Sequence, residues 1–175
     1  MMEDKKEQFL KIFRDFEESK TVGQRQSLLN KMAEFVDLTS SSEILINIIK
    51  EKIKSKNSND TSDVIVFIWV IQRIADNIFV PVLCEILNNY RYFNLMEGIA
   101  DALCFIADET CIEPIVNFLL EYEIDEDLGY HLRNKFLDVL DGIKTQKAIE
   151  GIKKVSESSN SQLSELASHH LKKYN

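Results

Sequence analysis

The chain has 175 residues, 45% hydrophobic and 29% charged, with a formal net charge of −8. This is too apolar for a disordered chain and long enough for a core that buries ~70% of the surface exposed on unfolding. With five glycines and two prolines, little material is left for tight β-turns, which favours an all-helical protein.

Residues 4–19 place Phe9, Ile12, Phe13 and Phe16 on one stripe of an amphipathic helix, broken at Val22-Gly23. Gln24–Asp37 follows, with Leu28, Leu29, Met32, Phe35 and Val36 inward, and Ser40-x-x-Glu43 reads as a capping box for the next helix. That helix carries Ile44, Leu45, Ile48, Ile49 and Ile53. The polar stretch 54–63 reads as a loop insertion within one continuous domain over 1–175. Val64–Ala75 is apolar nearly all round, as a central helix should be. Its partner Val80–Asn89 has Pro81 in its first turn, where no N–H is missed. Leu95–Ala107 pairs with Ile112–Tyr122, the latter capped by Thr110-x-x-Glu113; Leu128–Leu140 pairs with Lys147–Val155, with Gly142 at the turn. A last helix follows Ser158–Ser161, its stripe running through Leu163, Leu166, Ala167 and His170-Leu171.

These pairs repeat. Ile74-Ala75-Asp76 before Val80-Pro81 matches Ile106-Ala107-Asp108 before Glu113-Pro114 at a spacing of 32. Leu140-Asp141-Gly142 aligns Gly142 with Asp108 at 34. Such a period is the signature of a helical solenoid, whose units bury their apolar faces by stacking and which presents surfaces more than it assembles pockets.

The leucine- and isoleucine-rich first helix, the Ala-Asp or Asp-Gly turn and the Pro- or Ala-led second helix resemble HEAT repeats over residues 24–157. The Arg often found late in the second helix of those repeats and their first-helix Pro are absent. The resemblance implies an all-α, right-handed HEAT/armadillo-like solenoid, here of about nine helices, with second helices lining the concave side. HEAT-like relatives include alkylpurine DNA glycosylases, chaperones of lyase type that attach chromophores, and compact acidic immunity proteins of bacterial polymorphic-toxin systems. The glycosylases use a basic concave face, which this chain lacks.

Charge is unevenly placed. Between Asn94 and Gly142 twelve acids face only Arg133 and Lys135, so this block carries −10 and the other 126 residues +2. Such a field attracts basic partners and repels polyanions, so direct nucleic-acid binding is not expected. The densest run, Glu121 to Asp127, lacks the spacing and glycine of a calcium loop. Its Asp125, Glu126 and Asp127 would favour the positive end of the following helix by ~0.3–1 kcal/mol. Aromatic residues border the acids: Tyr90 and Tyr92 in one connection, Tyr122 and Tyr130 around the next.

Other chemistry is sparse. His131, His169 and His170 lack the spacing of a metal site, and no phosphate loop, G-x-S-x-G or H-E-x-x-H occurs. Cys84, Cys104 and Cys111 form no C-x-x-C pair and fall on apolar stripes, as free, packed thiols in a reducing cytoplasm would. No apolar h-region follows Met1, so no secretory signal is expected. The longest apolar run, Val64–Ile71, is eight residues, far below the ~20 of a membrane span.

The sequence therefore predicts a non-enzymatic, cytoplasmic protein-binding module without cofactor or metal. Within that class it predicts an immunity protein that occludes a cognate toxin, a nuclease with a basic surface. The contact residues would be Tyr90, Tyr92, Glu97, Asp101, Glu121, Tyr122, Glu123, Asp125, Glu126, Asp127 and Tyr130. The alternatives are a HEAT-like scaffold or lyase-type chaperone, and a HEAT-like glycosylase.

Overall fold

The structure is a computed structural model describing residues 2–38, 41–55, 58–89, 93–121 and 126–174; at 2, 55, 58–60, 93–94 and 126–128 it describes the backbone alone. The described residues are all-helical, with ten α-helices, one more than the nine or so expected, and no strand. They divide into two compact units, Met1–Phe79 and Val80–Asn175.

The first unit holds α1 (Met2–Glu18), α2 (Val22–Leu38), α3 (Ser42–Ser55) and α4 (Ser58–Ile74), followed by a 3-10 turn at Asn77–Phe79. The α1 stripe predicted from its spacing, Phe9, Ile12, Phe13 and Phe16, is buried throughout. Phe67 of α4 is the hub: its ring lies 5.8 Å from that of Phe9 and 4.8 Å from that of Phe13. Tilted pairs of this kind contribute ~0.5–1.5 kcal/mol beyond their buried area. Helix α2 packs on α1 and α4, and α4 also packs on α3. Val64, Phe67, Ile68, Val70 and Ile71 are buried accordingly, while Trp69 stays 39% exposed.

Three local readings differ. The turn after α1 spans Ser19–Thr21, where Ser19 N–H donates to Phe16 O at 3.2 Å, and Val22-Gly23 opens α2 instead of breaking the chain. The polar stretch expected to be a loop to residue 63 is helical from Ser58. Asp63 there meets Lys52 Nζ at 2.5 Å, which ties α4 to α3. The capping box built on Ser40 lies outside the described residues, and the residue before α3 is Ser41, whose carbonyl accepts from Ile44 N–H at 3.0 Å.

The second unit holds α5 (Val80–Asn89), α6 (Phe93–Ile106), a 3-10 turn (Glu109–Cys111), α7 (Ile112–Glu121), α8 (Glu126–Ile143), α9 (Gln146–Ser156) and α10 (Ser161–Leu171), then a 3-10 turn at Lys172–Tyr174. Alternate helices stack: α5 on α7 on α9, and α6 on α8 on α10, with α5 on α6, α7 on α8, α8 on α9 and α9 on α10 packed across the two rows. Phe118 of α7 and Phe136 of α8 meet across the rows with ring centroids 4.8 Å apart.

The repeat is written into the turns. Ala75, Ala107 and Lys144 each have left-handed backbone, with φ of 51°, 51° and 58°. Ala75 and Ala107 N–H donate to Ile71 O and Leu103 O, both at 2.8 Å, closing the helix as left-handed caps do. The next residue starts the following element: Asp76 Oδ1 accepts from Ile78 N–H at 2.9 Å and Asp108 Oδ1 from Thr110 N–H at 2.8 Å. Thr145 does the same for α9, accepting from Ala148 N–H at 3.4 Å. Two expectations are corrected here. Thr110 does not cap α7, because Asp108 caps the short turn before it. Gly142 is not the turn residue, because α8 runs on through Ile143, so Thr145 rather than Gly142 is the counterpart of Asp108.

Candidate interaction surface

Helix α6 buries Leu95, Met96, Ile99, Ala100, Ala102 and Leu103. The same spacing turns Glu97, Asp101 and Phe105 (i, i+4, i+8) onto its other side. Phe105 is 67% exposed, an unusual position for a phenylalanine, and Cys104 beside it is exposed too. Lys135 of α8 reaches over to this face, 3.1 Å from Glu97 and 2.8 Å from Asp101. Burial alone would lower the Lys135 pKa, but its hydrogen bonds to Asp101 and Glu97 outweigh that and raise it. His131 of α8 lies 3.4 Å from the same Glu97 carboxylate, and its neighbour Tyr130 is 50% exposed. Glu97, Asp101, Lys135 and His131 thus form one patch on adjoining helices, and Phe105 continues the same face of α6.

The remaining expected contact residues fare differently. Glu121 is exposed at the last residue of α7, where an acid opposes the helix dipole and so adds nothing to helix stability. No described contact links it to the α6 patch. Glu126 and Asp127 open α8, as the dipole argument expects, but only their backbone is described. Tyr90, Tyr92, Tyr122, Glu123 and Asp125 lie outside the described residues.

Several acids counted in the charge block have internal work. Asp108 is a cap, Lys135 holds Glu97 and Asp101, and Asp141 is bound by Lys173 Nζ and the Tyr174 hydroxyl. The acids exposed without such a tie to a cation are Glu109, Glu113, Glu121 and Asp138, among the described residues.

Phe105 was not legible as a surface residue, because Leu103-Cys104-Phe105-Ile106 reads as an apolar helix end. Its signal is the eight-residue offset from Glu97. The thiols divide likewise. Cys84 and Cys111 are buried as expected, and Cys104 is exposed, against expectation. Burial, with Asp108 nearby, pushes Cys84 up to about 11. Burial pushes Cys111 up to about 12, with Cys84 and Asp108 adding to the rise. Both therefore stay protonated, and neither is set up as a nucleophile at neutral pH.

His170 departs most from the sequence reading. It is only 3% exposed, on α10, with Asp138 Oδ1 3.8 Å from its Nε2 and Asp141 Oδ2 3.7 Å from its Nδ1. Desolvation lowers its pKa, with Lys173 in the same direction; Asp138 and Asp141 oppose this without reversing it.

No described helix is long and apolar enough to cross a membrane. No protein-family model, curated protein or solved structure matches the chain.

Proposed function

We propose that this chain is a non-enzymatic protein-binding module built on HEAT-like helix pairs, and that it acts as an immunity protein. It would occlude a basic toxin, a nuclease whose nucleic-acid-binding surface is positive. The observation that carries this reading is Phe105, an aromatic ring two-thirds exposed beyond Glu97 and Asp101 on one helix face. An exposed aromatic ring on the same helix face as two carboxylates supports a binding surface, since aromatic residues are enriched among the anchors of interfaces.

The acids and the ring have separate tasks. The carboxylates of the second unit supply a negative field that speeds encounter with a cationic surface, at a range of ~10 Å in 0.1 M salt. Phe105 and Tyr130 supply the desolvated contact that sets release. Lys135 holds two of the acids in fixed geometry, so the face keeps one shape before and after binding. The right-handed superhelix that HEAT-like pairing implies belongs to this same reading.

The test begins with the reading frame next to this one in the genome. If its product arrests growth when expressed alone, co-expression of the present chain should restore growth, and the Phe105→Asp chain should fail while remaining helical. In binding kinetics, reversing Glu121, Glu123 and Asp125 to Lys should slow association, whereas Tyr130→Ala should mainly hasten release. Arrest that persists despite co-expression of the folded chain sinks the immunity reading. An unchanged affinity in Phe105→Asp removes this face as the binding surface, and an unchanged association rate in the triple reversal removes those three acids from the steering field.

A further inference from the structure

The imidazole of His170 poses a problem of hydrogen-bond valence. Asn134 Nδ2 donates to Asp138 Oδ2 at 3.1 Å, which turns Asn134 Oδ1 towards His170 Nε2 at 3.3 Å. An amide oxygen only accepts, so Nε2 carries the ring hydrogen. In the neutral ring Nδ1 is then a lone pair, closed off from solvent and with no partner within hydrogen-bond distance. What it faces is another acceptor, Asp141 Oδ2, 3.7 Å away. Two acceptors confronting each other in a buried place repel unless a positive centre stands between them.

We propose that Asp138, Asp141 and His170 form a binding site for a divalent transition-metal ion of the zinc class. One nitrogen of His170 and one oxygen from each carboxylate all lie within 4.8 Å of one another. Metal–ligand bonds of ~2.0–2.2 Å set the edges of a tetrahedral site at about 3.3–3.5 Å. The Nδ1-to-Oδ2 gap of 3.7 Å therefore needs to close by only a few tenths of an ångström, while the Asp138 oxygen, which lies nearer Nε2, must move by up to about 1.4 Å to join the other two. A mixed nitrogen and carboxylate set selects zinc-like ions over calcium or magnesium, which take oxygen alone. The second sphere fits as well: a metal-bound histidine donates its other ring hydrogen to an oxygen, as Nε2 does to Asn134 here. Asp138 is half exposed, which gives an ion a route in, and water would complete the coordination.

Asp141 already has a cation. Lys173 Nζ sits on its Oδ2 and the Tyr174 hydroxyl on its Oδ1. The metal must displace the ammonium, whose side chain is half exposed and free to swing into water. Affinity is thus a competition between ion and lysine, and that gives the site a signature that a simple carboxylate cluster lacks. The inference is independent of the proposed function.

The whole chain is titrated with Zn2+ by calorimetry and with Co2+ by visible absorption. One equivalent of Co2+ should bring up ligand-field bands of a nitrogen and oxygen site, and Zn2+ should raise the melting temperature and move the His170 ring resonances. Asp141→Asn should abolish both effects. Lys173→Ala breaks the same Lys173–Asp141 contact, yet should tighten Zn2+ by about tenfold, the gain expected from removing one competing charge near the ion. Far-UV circular dichroism checks that both variants fold. The proposal is overturned if neither ion binds. It is also overturned if binding survives in Asp141→Asn, which would place it at the cysteines or at His131, or if Lys173→Ala weakens it.

Discussion

Replacing Gly142 by alanine asks where the third repeat turns. In the structure Gly142 is the penultimate residue of α8, and a Cβ built on it has nothing within 4 Å. Glycine in a helix costs roughly 0.5–1 kcal/mol relative to alanine, through the extra freedom it has when unfolded. With open space the substitution carries no packing penalty, so Gly142→Ala should stabilise by about 0.5 kcal/mol, at the low end because the position is in the last turn. In a domain of this size that corresponds to a rise of about 1–2 °C in melting temperature. Lys144 is the complementary site. Its φ of 58° costs a side-chain-bearing residue ~1–2 kcal/mol. Lys144→Gly relieves that strain and loses part of the gain to unfolded-state entropy, leaving about 0.5–1 kcal/mol of stabilisation. Thermal and urea melts followed by far-UV circular dichroism measure both. If Gly142→Ala lowers the melting temperature, residue 142 is the left-handed one. The turn then lies where the Leu-Asp-Gly pattern puts it, and the assignment of Thr145 as the counterpart of Asp108 fails.

Three further outcomes follow from the same geometry. Gly151 of α9 is the opposite case to Gly142: a Cβ there meets Val116 Cγ2 at 3.0 Å and Ile112 Cγ2 at 3.3 Å. Both neighbours are buried β-branched residues with restricted rotamers, so Gly151→Ala should destabilise by about 1–2 kcal/mol despite its better helix propensity; adding Val116→Ala should recover part of the loss in a double-mutant cycle. A thiol reagent applied to the native chain should label Cys104 rapidly and Cys84 and Cys111 only on unfolding; fast reaction of two thiols would contradict their burial. His170 is held neutral, its pKa below the ordinary 6.5, so the unfolded chain binds a proton first as pH falls. Stability should therefore be level above pH 7 and decline below about 6.5, and a His170→Leu chain that folds should lose that part of the decline.

Helix placement was legible because burial imposes a period. Phe9, Ile12, Phe13 and Phe16 fall on one side of any 3.6-residue helix, and all four are buried. Turn chemistry was harder, because glycine is a permissive residue and not an obligatory one. Gly23 and Gly142 read as breaks, yet both lie in helices, and the left-handed positions are taken by Ala75, Ala107 and Lys144. Those residues bear strain that tertiary packing tolerates, and no local propensity announces it. The stretch 58–63 misled for a related reason. Its polarity looks like a loop, but its helix is fastened from outside by Lys52, and a partner eleven residues away leaves no periodic trace.

The candidate interaction surface was half visible for a different physical reason. Charge is additive along a sequence, so the acidic block of the second unit can be counted from residue identities alone. Pairing is not additive. Lys135 meets Asp101 across 34 residues and Lys173 meets Asp141 across 32, distances set by how α6, α8 and α10 stack and by nothing in the local sequence. Counting therefore overstates the field, since three of the twelve acids are matched by lysines and a fourth is a cap. An apolar residue raises the reverse difficulty. Phe105 belongs by composition with Leu103 and Ile106, and only the angular position fixed by its neighbours Ala102 and Leu103, both wholly buried, turns it outward. Once those two point inward, Phe105 must share a face with Glu97 and Asp101, so the helical period that hides a core also determines which side chains remain for a partner.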